Sequence, residues 1–132
     1  AQIFSDLSDD ILAEVASRTE EVRLRRGEVL FHKGDLGTTL YVVAAGRLRV
    51  HTGDRWIADA AEGAVVGELA ALSSEPRTAS VTAAADSLLL ALDQESLFDL
   101  MWDQQEILRG IIRVLVGHLR RLREASLSDT RA

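Results

Sequence analysis

Three textures of hydrophobic and polar positions succeed one another along the chain. Behind Ser8, apolar residues recur at helical spacing, and Asp9 and Asp10 follow the serine directly. A serine hydroxyl can accept from a free first-turn N–H and acids favour the positive end of a helix, so a helix is predicted over about 8–18. Leu7 and Leu12 stand where an entry staple forms. From about Arg23 to Asp93, short runs rich in Val, Leu, Ala and Thr are cut by Gly27, Gly34, Gly37, Gly46, Gly53, Gly63 and Gly67. Frequent turns of this kind predict short strands, here 29–31, 40–43, 47–52, 56–59, 79–84 and 88–92. After Asp93 the helical period returns, with Leu97, Phe98, Leu100 and Met101 on a short helix and a longer one from about Gln104 to Glu124. Leu108, Ile112, Leu115, Leu119 and Leu122 are spaced 4, 3, 4 and 3 on the longer helix. That stripe is expected to pack on the chain's own barrel, with a partner helix as the alternative. Gly110 and Gly117 share one side of the helix, where they serve either close packing or ease of movement. The polar tail from Ser126 is expected to fray. The fold class is mainly β with flanking helices. We expect a β-roll, a jelly-roll-like barrel over about 23–93, with an N-terminal helix and two C-terminal helices over about 94–124, in a single domain spanning 1–132.

Composition narrows the function classes. At 132 residues and 47% apolar, the chain suits one core that covers roughly two-thirds of the unfolded surface. Its longest apolar runs, around Leu40 and Leu88, fall far short of the ~18 residues of a membrane span. There is no basic leader ahead of an apolar stretch, and Cys 0 removes disulfides, thiolate metal sites and thiol nucleophiles, so a cytosolic setting is expected. With 15 Lys+Arg against 21 Asp+Glu and a net charge of -6, broad contact with nucleic-acid phosphates is disfavoured, because such binding neutralises many charges. His32, His51 and His118 are scattered, form no H-x-H or H-E-x-x-H pattern, and read as surface residues. G-x-S-x-G is absent as well. No catalytic residue, metal ligand or cofactor is therefore assigned, and a cupin-like metalloenzyme on a similar roll is a weak rival. Arg109, Arg113, Arg120, Arg121 and Arg123 make the last helix basic, which reads as a solvated face before it reads as a docking surface.

Gly63 to Val81, GAVVGELAALSSEPRTASV, carries the chemistry. Gly67 permits close backbone approach, and Glu68 to Leu72 can form one or two helical turns whose first N–H groups are open to an anion. Arg77 then offers a planar fork matched to two phosphate oxygens, with Pro76 fixing the backbone before it. An acid and a base suit a ligand with both a hydroxyl and a phosphate: Glu68 accepts from the hydroxyl while Arg77 neutralises the anion. A ribose cyclic phosphate has that arrangement. The plain alternatives are a surface Arg77 paired with Glu75 or Asp86, and a Glu68 that only favours a helix N-terminus by ~0.3 to 1 kcal/mol.

Within this stretch, GELA at Gly67 to Ala70 and PRTASV at Pro76 to Val81 resemble the phosphate-binding cassette of the cyclic-nucleotide-binding domain family. That family includes cyclic-nucleotide-dependent kinase regulatory regions, cyclic-nucleotide-gated channels and catabolite-activator transcription factors. Upstream, GEVLFHKGDLGTTLYVVAAGRLRV resembles the family's first strands, and the likeness runs from about Phe4 to Glu124. It implies a ligand-binding set of Gly67, Glu68, Leu69, Ala70, Arg77, Thr78 and Ala79. By the resemblance, Glu68 binds the ribose 2′-hydroxyl, Arg77 the exocyclic phosphate oxygens, and a C-terminal helix caps the base. Thr38 departs from a frequent acid and Val66 from a common aromatic, and the 52–55 connection is short. Thr78 matches a position whose hydroxyl can reach a guanine amino group, but receptors that prefer cyclic AMP also carry Thr there. The choice between cyclic AMP and cyclic GMP stays open, leaning to cyclic AMP. The resemblance implies a regulatory sensor that signals by closing its C-terminal helices, fused or docked to an effector. A helix-turn-helix of the catabolite-activator type would begin about where this chain stops, so DNA binding by this piece is not expected. The alternative is an interaction module with the same fold that has lost nucleotide binding and pairs two copies through the apolar stripe.

Overall fold

The computed structural model describes Phe4 and residues 7–131. Helix α1 (Asp9–Ser17) is followed by strands β1 (Glu20–Leu24), β2 (Val29–Phe31), β3 (Leu40–Ala45), β4 (Leu48–Thr52), β5 (Arg55–Ala60) and β6 (Val65–Val66). Then come α2 (Glu68–Ser73), β7 (Ser80–Ala83), β8 (Ser87–Leu92), α3 (Gln94–Asp103) and α4 (Gln105–Arg131). The six expected strands are present with their ends moved by a residue or two. Two others were not expected. The first, β1, opens on Glu20 and Glu21 at a sheet edge, where side chains face water and the apolar alternation is reduced to Val22 and Leu24. The second, β6, has two residues, too few to carry a period.

The strands form two antiparallel four-stranded sheets, in the orders β1-β8-β3-β6 and β2-β7-β4-β5. Because successive side chains on a strand point to opposite faces, β3 and β8 each feed two cores. Val43 and Leu89 join Leu24, Leu48, Val66, Val81 and Ala83 between the sheets. Leu40 and Leu92, of opposite parity, meet Leu97, Leu100, Ile107 and Ile111 of the C-terminal helices together with Leu7 and Val15. Leu40, Leu89, Leu92, Leu97 and Leu100 are fully buried, and truncating such a leucine to Ala costs about 2–5 kcal/mol. Between β3 and β4, Gly46 has φ 95, and a Cβ there would collide with Ser87 and with the Asp86 carbonyl 2.5 Å away. Only glycine lets this turn lie against the start of β8.

The helices correct three expectations. Ser8 caps α1, accepting from the Ile11 N–H at 3.4 Å. The residue that packs inward with Leu7 is Ile11, however, while the expected staple partner Leu12 is exposed. On α4 the expected stripe does not pack on the barrel. Ile107 and Ile111 fill the core and Val114 packs against it, whereas Leu108, Ile112, Leu115, Leu119 and Leu122 are exposed, Leu119 by 64%. The helix has two apolar faces, and the one continuous with the β-branched Ile107, Ile111 and Val114 is turned to α3. Finally, helical backbone continues to Arg131 instead of fraying after Glu124, since neither Pro nor Gly follows Gly117 to stop it. At 27 residues, α4 is about 40 Å long.

Candidate functional site

Arg77 lies between α2 and β7 and is only 6% exposed. Its backbone is held first: the Arg77 N–H donates to the Asp35 carbonyl at 2.9 Å, and the Gly34 N–H donates to the Arg77 carbonyl at 2.8 Å. This pins it to the turn after β2, which is itself closed by the Asp35 carboxylate accepting from the His32 N–H at 2.9 Å. The guanidinium is seated on two carbonyls. Nη2 donates to Thr39 O at 2.9 Å and Nη1 to Gly67 O at 3.3 Å, using two of the five N–H donors of a guanidinium. Its Cζ lies 4.1 Å from the centroid of the Phe31 ring, a cation–π contact. Burial is the largest influence on its pKa and pulls it below the ordinary arginine value, while Tyr41 and Asp35 act in the opposite direction. Arginine remains protonated in this setting, so the cavity wall holds a desolvated positive charge.

Glycine makes that seat possible at two positions. Gly67 caps the N-terminus of α2 with φ 80 and ψ 11, in the left-handed region that disfavours other residues. A Cβ at Gly67 would lie 2.5 Å from Arg77 Nη1 and 3.0 Å from Thr39 O. A Cβ at Gly37 would lie 3.0 Å from Arg77 Nη2. Immediately after Gly67, Glu68 opens α2, half-buried, with its acid at the positive end of the helix. At the other end of α2, Ser74 has φ 60, and the Gln94 side chain donates to Ala71 O and to Ser74 Oγ, both at 2.8 Å.

All seven residues implied by the resemblance, Gly67, Glu68, Leu69, Ala70, Arg77, Thr78 and Ala79, border one cavity of about 170 Å³. Phe31, Val50, Val65, Val66 and Val81 complete its wall. Sequence reasoning assigned none of these five to the site: Phe31, Val50 and Val81 read simply as strand residues, Val65 and Val66 lie in the strand that was not expected, and Thr39, also missed, contributes only its carbonyl. The opposed charges meet the needs of a small ligand with an anionic group and a hydroxyl, while the apolar wall suits a flat base. The plain alternative, a surface Arg77 paired with Glu75 or Asp86, does not describe this arrangement, since Arg77 is buried and its guanidinium donates to the Thr39 and Gly67 carbonyls. Of the histidines, His32 is exposed beside Asp35. His51, expected at the surface, is half-buried, with Nδ1 2.8 Å from Gly53 O and Nε2 2.7 Å from Thr82 Oγ1. The His118 side chain lies outside the described residues. Among the described residues, no three or more His, Cys, Asp or Glu side chains are grouped so as to hold a metal ion, and no helix is long and apolar enough to cross a membrane.

The model of the cyclic nucleotide-binding domain family matches residues 21–104, and the chain belongs to that family. It is 34% identical over 106 residues to the cAMP-dependent protein kinase regulatory subunit of Blastocladiella emersonii, covering 76% of this chain and 26% of that protein. It is 36% identical over 107 residues to the cyclic AMP receptor protein of Thermus thermophilus, covering 77% of this chain and 48% of the relative. The solved Thermus thermophilus catabolite activator protein shares the two-sheet roll and flanking helices, with a TM-score of 0.84 at 31% identity, over 97% of this chain and 61% of that one. The chain thus spans about a quarter to a half of the length of these two curated relatives.

Proposed function

We propose that the domain is a non-catalytic regulatory sensor that binds a cyclic nucleotide, cyclic AMP in preference to cyclic GMP, in the cavity beside α2. The carrying observation is the buried, pre-seated Arg77 guanidinium, which shares one cavity with Glu68. Arg77 takes the exocyclic phosphate oxygens and Glu68 the ribose 2′-hydroxyl. Gly67, Leu69, Ala70, Thr78 and Ala79 line the cradle around them. A cyclic phosphate matches this pairing because it repays the desolvation of Arg77 with charge-assisted hydrogen bonds. The preference for cyclic AMP draws on the relatives, two of which are named for that nucleotide. The signal is a closure of α3 and α4 over the base, which a ligand drives only by binding the closed state more tightly, commonly by ~1 to 3 kcal/mol. The setting is cytoplasmic, the output passes to a fused or partner effector, and this piece does not itself bind nucleic acid.

Calorimetric titration of cyclic AMP and cyclic GMP into the wild type and Arg77→Ala tests this. Saturable wild-type binding that weakens by about 2–5 kcal/mol in the folded variant is expected. A folded, ligand-free wild type that binds neither nucleotide refutes the sensor. That outcome leaves the second reading, a dimerising module, which the exposed Leu108, Ile112, Leu115, Leu119 and Leu122 face of α4 favours. Pairing through that face predicts a dimer in sedimentation that Leu119→Glu converts to a monomer, and a monomeric wild type refutes it.

A further inference from the structure

We infer that Phe31 is a positioning residue for Arg77, the ring on which the phosphate-binding guanidinium is oriented before ligand arrives; the inference rests on the nucleotide-binding reading above. Three constraints meet on that guanidinium. Thr39 O and Gly67 O accept from its edge and limit rotation within its plane. Neither carbonyl prevents the plane from tilting about the line that joins them. The Phe31 ring does, because Cζ sits over it, 4.1 Å from its centroid, where the negative ring face attracts the cation and leaves no room for the plane to swing toward it. Phe31 ends β2, the strand just before the turn that grips the Arg77 backbone through Gly34 and Asp35. Its own ring is steadied by Tyr41, with centroids 6.3 Å apart. One segment, 31–35, therefore holds both the main chain and the side-chain plane of Arg77.

The function of such a platform is pre-organisation. An arginine has a long side chain with many rotamers, and ordering it during binding weakens affinity. An ordered guanidinium presents its fork to the phosphate in one plane. A cation–π contact out of water corresponds to about a 5- to 30-fold effect on an equilibrium, and the loss falls on the ligand because the phosphate meets a tilting fork. An apolar residue of similar size fills the space beside Arg77 but cannot replace the ring face.

The test uses Phe31→Leu, Phe31→Met and Phe31→Tyr, the first two made together so that a failure of one to fold leaves the other. Two quantities are read: calorimetric affinity for cyclic AMP, and exchange of the Arg77 Nε–H proton by NMR in the ligand-free protein. Leu and Met are expected to bind about 5- to 30-fold more weakly and to exchange this proton faster, while Tyr keeps both values near wild type. Equal affinity in all four proteins overturns the inference, as does a Tyr variant as weak as Leu, which would mark Phe31 as a shape-specific wall residue. Unchanged Nε–H exchange in Leu and Met also overturns it. A wild type that binds no nucleotide, yet whose Nε–H exchange still responds to Leu and recovers in Tyr, sinks the ligand reading and leaves the positioning contact standing.

Discussion

Gly67→Ala isolates the contribution of the Arg77 seat, because the neighbouring Gly63 supplies a matched control. Both residues have positive φ, 80 at Gly67 and 85 at Gly63, so either substitution forces an L-residue into the left-handed region at roughly 1–2 kcal/mol. Their surroundings differ. A Cβ at Gly63 meets nothing within 4 Å, whereas at Gly67 it lies 2.5 Å from Arg77 Nη1 and 3.0 Å from Thr39 O. Carbon cannot stay that close to nitrogen, so Nη1 must leave the Gly67 carbonyl. A hydrogen bond to a charged group is worth about 1.5–3 kcal/mol. The bond to Gly67 O is long at 3.3 Å, so about 1–2 kcal/mol beyond the strain is expected. Urea unfolding should then place Gly63→Ala about 1–2 and Gly67→Ala about 2–4 kcal/mol below wild type, both still folded given a typical stability of about 5–15 kcal/mol. Cyclic AMP affinity should be unchanged in Gly63→Ala and at least about tenfold weaker in Gly67→Ala, where the displaced fork no longer faces the phosphate. If the two variants lose equal stability and bind equally well, Gly67 serves only the turn and the Arg77 seat is not part of the binding machinery.

Two further outcomes separate the roles of other residues. Glu68→Gln should weaken cyclic AMP by about 1.5–3 kcal/mol, the value of a hydrogen bond to a charged group. The wild type should lose a similar amount with a 2′-deoxy analogue, and the variant should lose little more with it. A full further loss with the analogue in Glu68→Gln would place the hydroxyl elsewhere. Gln94→Leu removes the two bonds from the start of α3 to Ala71 O and Ser74 Oγ and should destabilise the fold by about 1–3 kcal/mol. The fluorescence of Trp102, 89% exposed on α3, should respond less to cyclic AMP in that variant, and an undiminished response at saturation shows that the tie carries no signal.

The parts of this molecule legible in its sequence are those written in local pattern. Ser8 with two acids announces α1, glycine punctuation announces the roll, and GELA with PRTASV announces the cavity wall, because each needs particular residue types at fixed spacing. What escaped is set by contacts between distant segments. Phe31 looks like any strand aromatic until folding lays Arg77 on its face. Thr39 offers a carbonyl, a group every residue has, so no side-chain identity marks it. On α4, period alone found an apolar stripe but could not choose between two apolar faces. The choice fell to Ile107 and Ile111, which complete the cavity left by Leu40, Leu92, Leu97 and Leu100.

On the proposed sensor reading, these distant contacts offer a route by which a small ligand would act on α3. At one end of α2, Gly67 O is held by Arg77, whose backbone and guanidinium are held by 31–35. At the other end, Ala71 O and Ser74 Oγ are held by Gln94 of α3. With six residues, α2 is about 9 Å long, stiff on that scale, so a shift of Gly67 must appear at Ser74. On the sensor reading, a phosphate that shifted Arg77 together with Gly67 O would move the first end, and the displacement would reach α3 through the Gln94 amide and its two bonds, alongside the apolar cluster that Ala71 shares with Leu97 and Leu100. Such polar ties have two discrete arrangements, made or broken, and a sensor needs two states to distinguish. Ser74 holds φ 60 without being glycine, a conformation that persists only where its surroundings enforce it. Breaking the Gln94 bond would remove part of that enforcement, so on the sensor reading the C-terminal end of α2 would relax with a movement of α3.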